Sequence, residues 1–304
     1  MEDFNYKIIV NPTAGKGKGR VAAKVISQIL TAHKKEFEIF HTREPGHGIE
    51  LAQNGLKDGW AAVIAVGGDG TAGEVLNGVM QGDESKNCRF GFIPVGTGND
   101  FARNLNIPLN MEEAVKVLLK PGEKVIDIGK EREGYFSIIT GLGFPAEVMA
   151  QANAYKGPLR GSLVITWCVL KTIKELKAES IEFTLDGETA ELLVKAIFVL
   201  NTPYTGGGLQ IVPHAKYDDG ILDIAVMGDI SKPSLAVTLP KAYKGKHVGH
   251  PAFTFYKGKK VSIKTERPLR KLFDGNVYGE SPLEAEILPQ ALSVLVPAFE
   301  GADD

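Results

Sequence analysis

The sequence predicts a doubly wound α/β domain followed by a second, mostly antiparallel β domain. Three observations carry this. Residues 6–119 alternate short apolar runs with stretches of helical apolar spacing. Beyond residue 177, β-rich runs separated by Asp-Gly turns dominate. Three glycine-rich stretches in the first part each lie between a strand and a helix, where open α/β sheets bind ligands.

In chain order, Tyr6–Val10 is a short apolar strand, and Val21, Val25, Ile26, Ile29 and Leu30 then recur at helical spacing. Phe37–His41 reads as a strand and 48–56 as a helix. Residues 61–66, AAVIAV, form a continuous apolar run of the kind buried on both faces of a parallel sheet. Helix over 71–82, strand over 89–93 and helix over 111–119 complete the rhythm. Residues 161–177 read as one more helix. Strands follow at 181–185, 192–200, 221–227, 253–256, 261–265 and 291–296, with turns at Asp186-Gly187, Asp219-Gly220 and Asp274-Gly275. The boundary falls near Asp127–Lys130. It divides the chain into 1–128 and 129–289, with the segment near 290–304 a candidate to pack back on the first domain.

Composition narrows the function classes. At 304 residues, 43% hydrophobic and 24% charged, the chain is ordinary globular material. A net charge of −2 argues against nucleic-acid binding by bulk electrostatics. Cys88 and Cys168 lack CxxC spacing and sit among apolar neighbours, so two buried, reduced thiols in an intracellular protein are expected. The N-terminus MEDFNYKIIV has neither a basic n-region nor an apolar h-region, so no signal peptide is expected. The apolar run 163–170 is too short to cross a bilayer, so any membrane contact is made from outside. The six histidines show no zinc-ligand spacing.

The chemistry concentrates in the three loops. The first, Asn11 to Gly19 (NPTAGKGKG), follows a strand and opens a helix, so backbone N–H groups and the helix dipole point at an anion. Lys16 and Lys18 add positive charge; the stretch is not a Walker A loop, because no Ser or Thr follows the lysine. A flexible surface turn explains it equally well. The second, Gly67-Gly68-Asp69-Gly70-Thr71-Ala72-Gly73, spells G-x-G-x-x-G, the dinucleotide fingerprint. The strand that follows ends without the acid that would hold a ribose, and Asp69 would repel a pyrophosphate resting on the loop. Thr71-x-x-Glu74 reads as a capping box that starts the helix at Thr71. The third loop, Gly96-Thr97-Gly98-Asn99-Asp100, supplies side-chain donors and a second acid, and doubles as a helix N-cap at Asn99 or Asp100. Two acids beside bound phosphate require a cation or a proton. Mg²⁺ with a nucleoside triphosphate meets that need, and phosphoryl transfer is the reaction that uses these parts.

NPTAGKGKG, VGGDGTAGEVLNG and PVGTGNDFARNL resemble the diacylglycerol kinase catalytic-domain family, in its bacterial soluble lipid-kinase branch. The resemblance continues through HTREPGHGIELA, GGGLQIVPHAKYDDGILDI and LPQALSVLVP, nearly the whole chain in order. GGDGT is shared with NAD kinases; GTGNDFAR is particular to lipid kinases, sphingosine kinases included. The resemblance implies a kinase-type, Rossmann-like first domain, a β-sandwich second domain, and ATP in the cleft between them. It further implies that Asn11, Gly15, Lys16, Thr42, Gly67 to Gly73 and Gly96 to Asn99 line the ATP site. Asp69 and Asp100 would hold the Mg²⁺ network, and the Asp219 side chain with the carbonyls of Lys216 and Ile221 would form a cation site in the second domain. A hairpin turn is the alternative for Asp219-Gly220. The implied partner is a lipid substrate, with no nucleic acid; a homodimer is left open. The implied location is the cytoplasm, at a membrane surface when active.

Two positions depart from the family pattern. Gly73 replaces the Asn of GGDGT-x-N-E, and Asn276 replaces the Glu of Asp-Gly-Glu that is proposed as general base. Asn cannot take a proton from a hydroxyl. Asp69 is then the base, or Glu280 four residues on reaches the site, or the chain binds without catalysis; the first reading is preferred, because phosphoryl transfer rests mainly on positioning and charge. Between 241 and 271, ten Lys and Arg oppose only Glu266, a stretch that could dock on anionic lipid or simply face solvent. In 161–177, Leu163, Trp167 and Leu170 could line an acyl-chain cleft, although core packing is the expected role for most of them.

Overall fold

Strands β1 (Tyr6–Val10) and β3 (Ala62–Gly67) are buried along their whole length. Such strands need helices on both faces, and the computed structural model, which describes residues 4–82, 88–159 and 162–298, supplies them. Helix α1 (Ala14–Ala32) follows β1 and buries Ala22, Ile26 and Leu30. β2 (Phe37–His41) and α2 (His47–Lys57) lead to β3, after which come α3 (Asp69–Met80), β4 (Arg89–Pro94), α4 (Asp100–Asn104), α5 (Met111–Val117) and β5 (Pro121–Glu131).

The chain divides into two compact units. The first is 1–128 with 290–304; the second is 129–289. In the first, the strand order is β2-β1-β3-β4, all parallel, and the last part of β18 (Leu283–Pro297) adds beside β4 through Ser293–Arg89 and Val294–Phe90. The chain goes from β1 outward to β2 and then back to β3 on the other side of β1. The order therefore reverses between β1 and β3, and the loops after these two strands flank the switch point where such sheets bind ligands.

The second unit is built of β6 (Gly134–Phe136), β7 (Ile139–Gly143), α6 (Phe144–Ala154), α7 (Ser162–Glu175), β8 (Glu179–Leu185), β9 (Glu188–Val194), β10 (Ala196–Leu200), β11 (Tyr204–Thr205), β12 (Leu209–Gln210), β13 (Leu222–Met227), α8 (Lys232–Thr238), a 3-10 helix at Leu239–Lys244, β14 (Phe253–Gly258), β15 (Lys260–Thr265), β16 (Arg270–Phe273), β17 (Asn276–Glu280) and the first part of β18. One antiparallel sheet runs β14-β13-β10-β7-β16-β17; in the other, β9, β8, β15 and β18 pair antiparallel. Alternate residues of both (Ile181 and Phe183, Ile197 and Val199, Leu222 and Ile224, Val261 and Ile263) form one buried cluster, as period-2 strands of a sandwich do.

Residues 192–200 are two strands, not one: Lys195 separates β9 from β10, turning its ammonium onto Ile230 O at 2.6 Å and Asp229 at 2.8 Å. The turn at Asp186-Gly187 joins β8 to β9, with both residues in the left-handed region that a two-residue hairpin demands. Asp219-Gly220 makes no hairpin, since β13 pairs with β10 and β14 rather than with the strand preceding that turn. Both cysteines are free and buried, and burial pushes the Cys88 thiol up to about 11, so it stays protonated at neutral pH.

Candidate functional site

The three glycine-rich loops converge at the carboxyl ends of β1, β3 and β4. Asn11 ties the first to the second: its amide donates to Val66 O (2.9 Å) and its side-chain Nδ2 to Thr71 Oγ1 (3.2 Å). Gly67 O receives the amides of Val95 (2.8 Å) and Gly96 (3.1 Å), tying the second loop to the third. The approach is so close that a Cβ on Gly96 would stand 2.4 Å from Gly68 Cα, and one on Gly15 would stand 1.9 Å from Val95 O. Gly15, Lys16 and Gly17 are all left-handed, so the first loop makes a turn before the regular part of α1 begins. For Lys16, which is exposed, this conformation is uncommon.

Asp69 is the first residue of α3, next to the N-cap Gly68, where the helix dipole favours a negative charge. Its Oδ1 accepts from the Phe101 amide at 3.1 Å, which brings it to the start of α4, one residue from Asp100. Phe101 is held by edge-on contacts with Phe90 (5.4 Å) and Phe92 (5.7 Å), so β4 fixes the amide that orients Asp69. Asp100 is 4% exposed, with the Arg103 guanidinium at 3.6 Å; Arg103 also donates to Gly98 O at 3.4 Å. Asn99, left-handed at φ 54, folds its side chain back on the loop, accepting from the Gly96 amide and donating to Gly96 O. Thr97 stands exposed at the tip. Thr42 lies at the end of β2, its amide on Val10 O at 2.9 Å, at the rim of the same strand ends.

Thr71 does not cap α3. The helix starts two residues earlier, at Asp69, leaving Thr71 buried with its hydroxyl accepting from Asn11, while Glu74 accepts the Gly48 amide of α2 at 3.2 Å. The local capping box is overridden because the glycine pair lets the helix begin at the loop itself. Gly73 leaves its carbonyl to the Asn77 side chain at 2.8 Å, an ordinary helical back-bond.

Asn276, Glu280, Lys216, Asp219 and Ile221 belong to the 129–289 unit. Asn276 opens β17 and is exposed; Glu280 is also exposed, four residues along the strand and therefore about 13 Å away. Ahead of them stands a residue that the motif reading passed over. Asp274 is buried, and its carboxylate accepts from Ser137 N (2.7 Å), Ser137 Oγ (3.1 Å), Ile138 N (2.9 Å) and Ile139 N (2.9 Å). Burial pushes this carboxyl upward against the pull of those four donors. Asp-Gly is so common in turns that nothing in the sequence distinguishes this buried anchor from the exposed Asp186-Gly187. Asp223 is a second such residue, with a signal: one acid inside the apolar run ILDIAVM. Burial raises its carboxyl above the usual range, Lys257 at 3.2 Å pulls it back, and nearby Asp219 pushes it further up. Asp223 Oδ2 is buried with no hydrogen-bond partner among the described residues. A cation beside Asp219 and Asp223 would satisfy it, although no group of three His, Cys, Asp or Glu among the described residues forms a complete metal cluster.

The diacylglycerol kinase catalytic domain model matches residues 5–131, and the YegS C-terminal NAD kinase beta sandwich-like domain model matches 138–296. The chain belongs to the diacylglycerol kinase catalytic-domain family. It is 26% identical over 296 residues to a diacylglycerol kinase of Staphylococcus carnosus, covering 96% of this chain and 94% of that one. A diacylglycerol kinase of Staphylococcus saprophyticus is 27% identical over a similar span, 96% and 95%. Among solved structures, a diacylglycerol kinase from Bacillus anthracis superposes with TM-score 0.76 at 26% identity, covering 97% of this chain and 98% of the other. A further Bacillus anthracis chain gives TM-score 0.81 at 28% identity over 97% and 96%. The parallel α/β unit and the antiparallel sandwich are those of this kinase family.

The basic stretch 241–271 is narrower than its composition suggests. Lys271 is 2% exposed and lies between Glu131 and Glu133, each at 2.6 Å. Lys257 pairs with Asp223, Lys264 with Glu182, Arg267 with Glu179 and Arg270 with Glu147. The acids come from distant parts of the chain, so linear charge counting could not find them. Trp167 and Leu170, expected in the core, are exposed, because α7 buries Cys168, Thr172 and Ile173 instead. The Leu163 side chain lies outside the described residues. No described helix is long and apolar enough to cross a membrane.

Proposed function

We propose that this chain is an ATP- and Mg²⁺-dependent lipid kinase that phosphorylates the hydroxyl of diacylglycerol or a related lipid. The observation that carries the reading is the Asp69 carboxylate, held by the Phe101 amide where three glycine-rich loops meet at the switch point of a parallel sheet. The loops fit phosphate: they are tight, nearly free of side chains at their contacts, and one opens on the N-terminus of α3. Asn11, Gly15, Lys16, Thr42, Gly67 to Gly73 and Gly96 to Asn99 would hold ATP, and Asp69 and Asp100 the Mg²⁺. When bound, these would supply the transferable phosphoryl group and the positive charge that offsets its oxygens. Asp69 takes the proton of the acceptor hydroxyl as that oxygen bonds to phosphorus and the bond to the departing ADP breaks. The 129–289 unit receives the lipid, and Asp219 with the Lys216 and Ile221 carbonyls, joined by Asp223, forms a cation site there. The protein works in the cytoplasm and meets its substrate at a membrane surface.

Radiolabelled ATP offered against diacylglycerol, other lipids and soluble acceptors including NAD tests the reading. Label is expected in the lipid fraction, abolished by a chelator, with Asp69→Asn losing at least about 10²-fold. Label in a soluble acceptor, or full turnover by Asp69→Asn, overturns it. One observation favours a second reading, a nucleotide- or lipid-binding protein with weakened catalysis: Asn276 stands exposed beside the Asp274 anchor where the family carries its Glu. Under that reading Asn276→Glu restores turnover to an otherwise inactive chain.

A further inference from the structure

Six large apolar side chains stand exposed along one run of contacting elements in the 129–289 unit. They are Ile165 (38%), Trp167 (52%) and Leu170 (55%) on α7, Val237 (64%) on α8, Tyr243 (54%) on the 3-10 helix and Val248 just beyond it. Helix α7 packs on α8, and α8 on the 3-10 helix. Lys232 at the start of α8 donates to the Lys174 carbonyl, which joins the first two directly. On α7, Trp167, Leu170, Lys171 and Lys174 recur at i, i+3, i+4 and i+7, all exposed, so one helix face presents two apolar groups followed by two lysines. The buried face of α7 is separate, made by Cys168, Thr172 and Ile173.

The charges around these groups are mostly positive. Lys171, Lys174, Lys232, Lys241, Lys244 and Lys246 are exposed; Glu175 is the acid on these elements, and Asp229 ahead of α8 is taken by Lys195. We propose that this surface docks the protein on an anionic lipid bilayer, with Trp167 and Leu170 entering the interface and the lysines lying on the headgroups. Trp and Tyr prefer that boundary, and lysines can bury their stems while keeping the ammonium at the headgroups. A protein partner would have to bring an acidic face around an apolar centre; a bilayer with anionic lipid offers that arrangement everywhere. The proposal gives the lipid-kinase reading its membrane contact and relocates it from 241–271 as a whole to α7, α8 and the 3-10 helix.

The chain has two tryptophans, so Trp60→Phe leaves Trp167 as sole reporter. The full chain in that background is mixed with vesicles of phosphatidylglycerol and phosphatidylcholine, without ATP or diacylglycerol, so that loss of docking and loss of kinase activity are read separately. Trp167 emission is expected to shift blue and to be quenched by brominated acyl chains. Leu170→Ser should weaken vesicle binding roughly tenfold, and Lys171→Gln with Lys174→Gln should weaken it about tenfold or more on anionic vesicles alone. Thermal unfolding of the free variants should be unchanged, because these side chains are exposed. Vesicle binding that leaves Trp167 emission unmoved overturns the proposal. So does a stable dimer in sedimentation that Leu170→Ser dissociates, which would assign the surface to a second copy.

Discussion

Gly96→Ala puts the meeting of the loops to its strictest test. The added Cβ would stand 2.4 Å from Gly68 Cα, 2.9 Å from Asn99 Oδ1 and 3.2 Å from Gly68 N. Carbon atoms in contact prefer about 3.5–4 Å, so the second and third loops must part by about 1 Å. Two of the three obstacles are backbone and cannot rotate away, so the shift falls on the segments carrying Asp69 and Asp100. Overpacking of this kind costs about 1–3 kcal/mol, a loss visible as a lower urea midpoint at unchanged slope. A reacting geometry displaced by about 1 Å loses on the order of 10²-fold in rate. The assay is phosphate transfer from ATP to diacylglycerol beside urea unfolding of the same preparation. Gly249→Ala is the control, having no atom within 4 Å of its Cβ and no left-handed backbone. Gly96→Ala turning over within about threefold of the parent would refute the claim that this contact sets the catalytic geometry.

The buried polar anchors make further predictions. Asp274→Ala strips the acceptor from three backbone amides and the Ser137 hydroxyl; it should cost about 3–5 kcal/mol in urea unfolding, and Asp274→Asn, which keeps one acceptor oxygen, should cost less. A loss under about 1 kcal/mol for the alanine variant would show that water replaces the carboxylate. Lys271→Ala leaves Glu131, fully buried and already pushed up by burial, with no cation on its oxygen. It should destabilise by about 3–5 kcal/mol, and Lys271→Met with Glu131→Gln should recover part of that. His247 is 1% exposed, its Nε2 donates to Ile211 O at 2.9 Å, and its Nδ1 is buried without a partner among the described residues. Burial therefore holds it below the usual histidine range, outweighing the Ile211 bond. Below about pH 6.5 the unfolded chain binds this proton more readily than the native state, so stability falls as pH drops toward the lower folded value. Unfolding midpoints from pH 7.5 to 5 should show the decline, and His247→Gln should flatten it; an equal slope in the variant would assign the decline to other groups.

The architecture was largely legible in the sequence because hydrophobic period is a local property. Continuous apolar runs such as 61–66 and alternating ones such as 181–185 specify burial on two faces or one without knowledge of any distant residue. The three loops were legible for a related reason, since glycine is demanded wherever backbones must touch, as Gly15, Gly68 and Gly96 do. What the sequence could not disclose were outcomes of long-range pairing. Thr71 and Glu74 spell a helix cap, yet Asn11 in the first loop and Gly48 in α2 claim their side chains. Trp167 and Leu170 spell a core face, yet α7 turns its other face inward. Half of the basic stretch is answered by acids far away in sequence, and Asp274 looks like any turn aspartate until the 137–139 backbone closes around it. The sequence by itself determined the two-unit architecture and the glycine loops that converge at the strand ends, because both are written in nearest-neighbour periodicity and in glycine. Only the tertiary structure decided which polar side chains are anchors and which apolar ones face outward, because a hydrogen bond or a buried surface is shared between segments that the chain itself keeps apart.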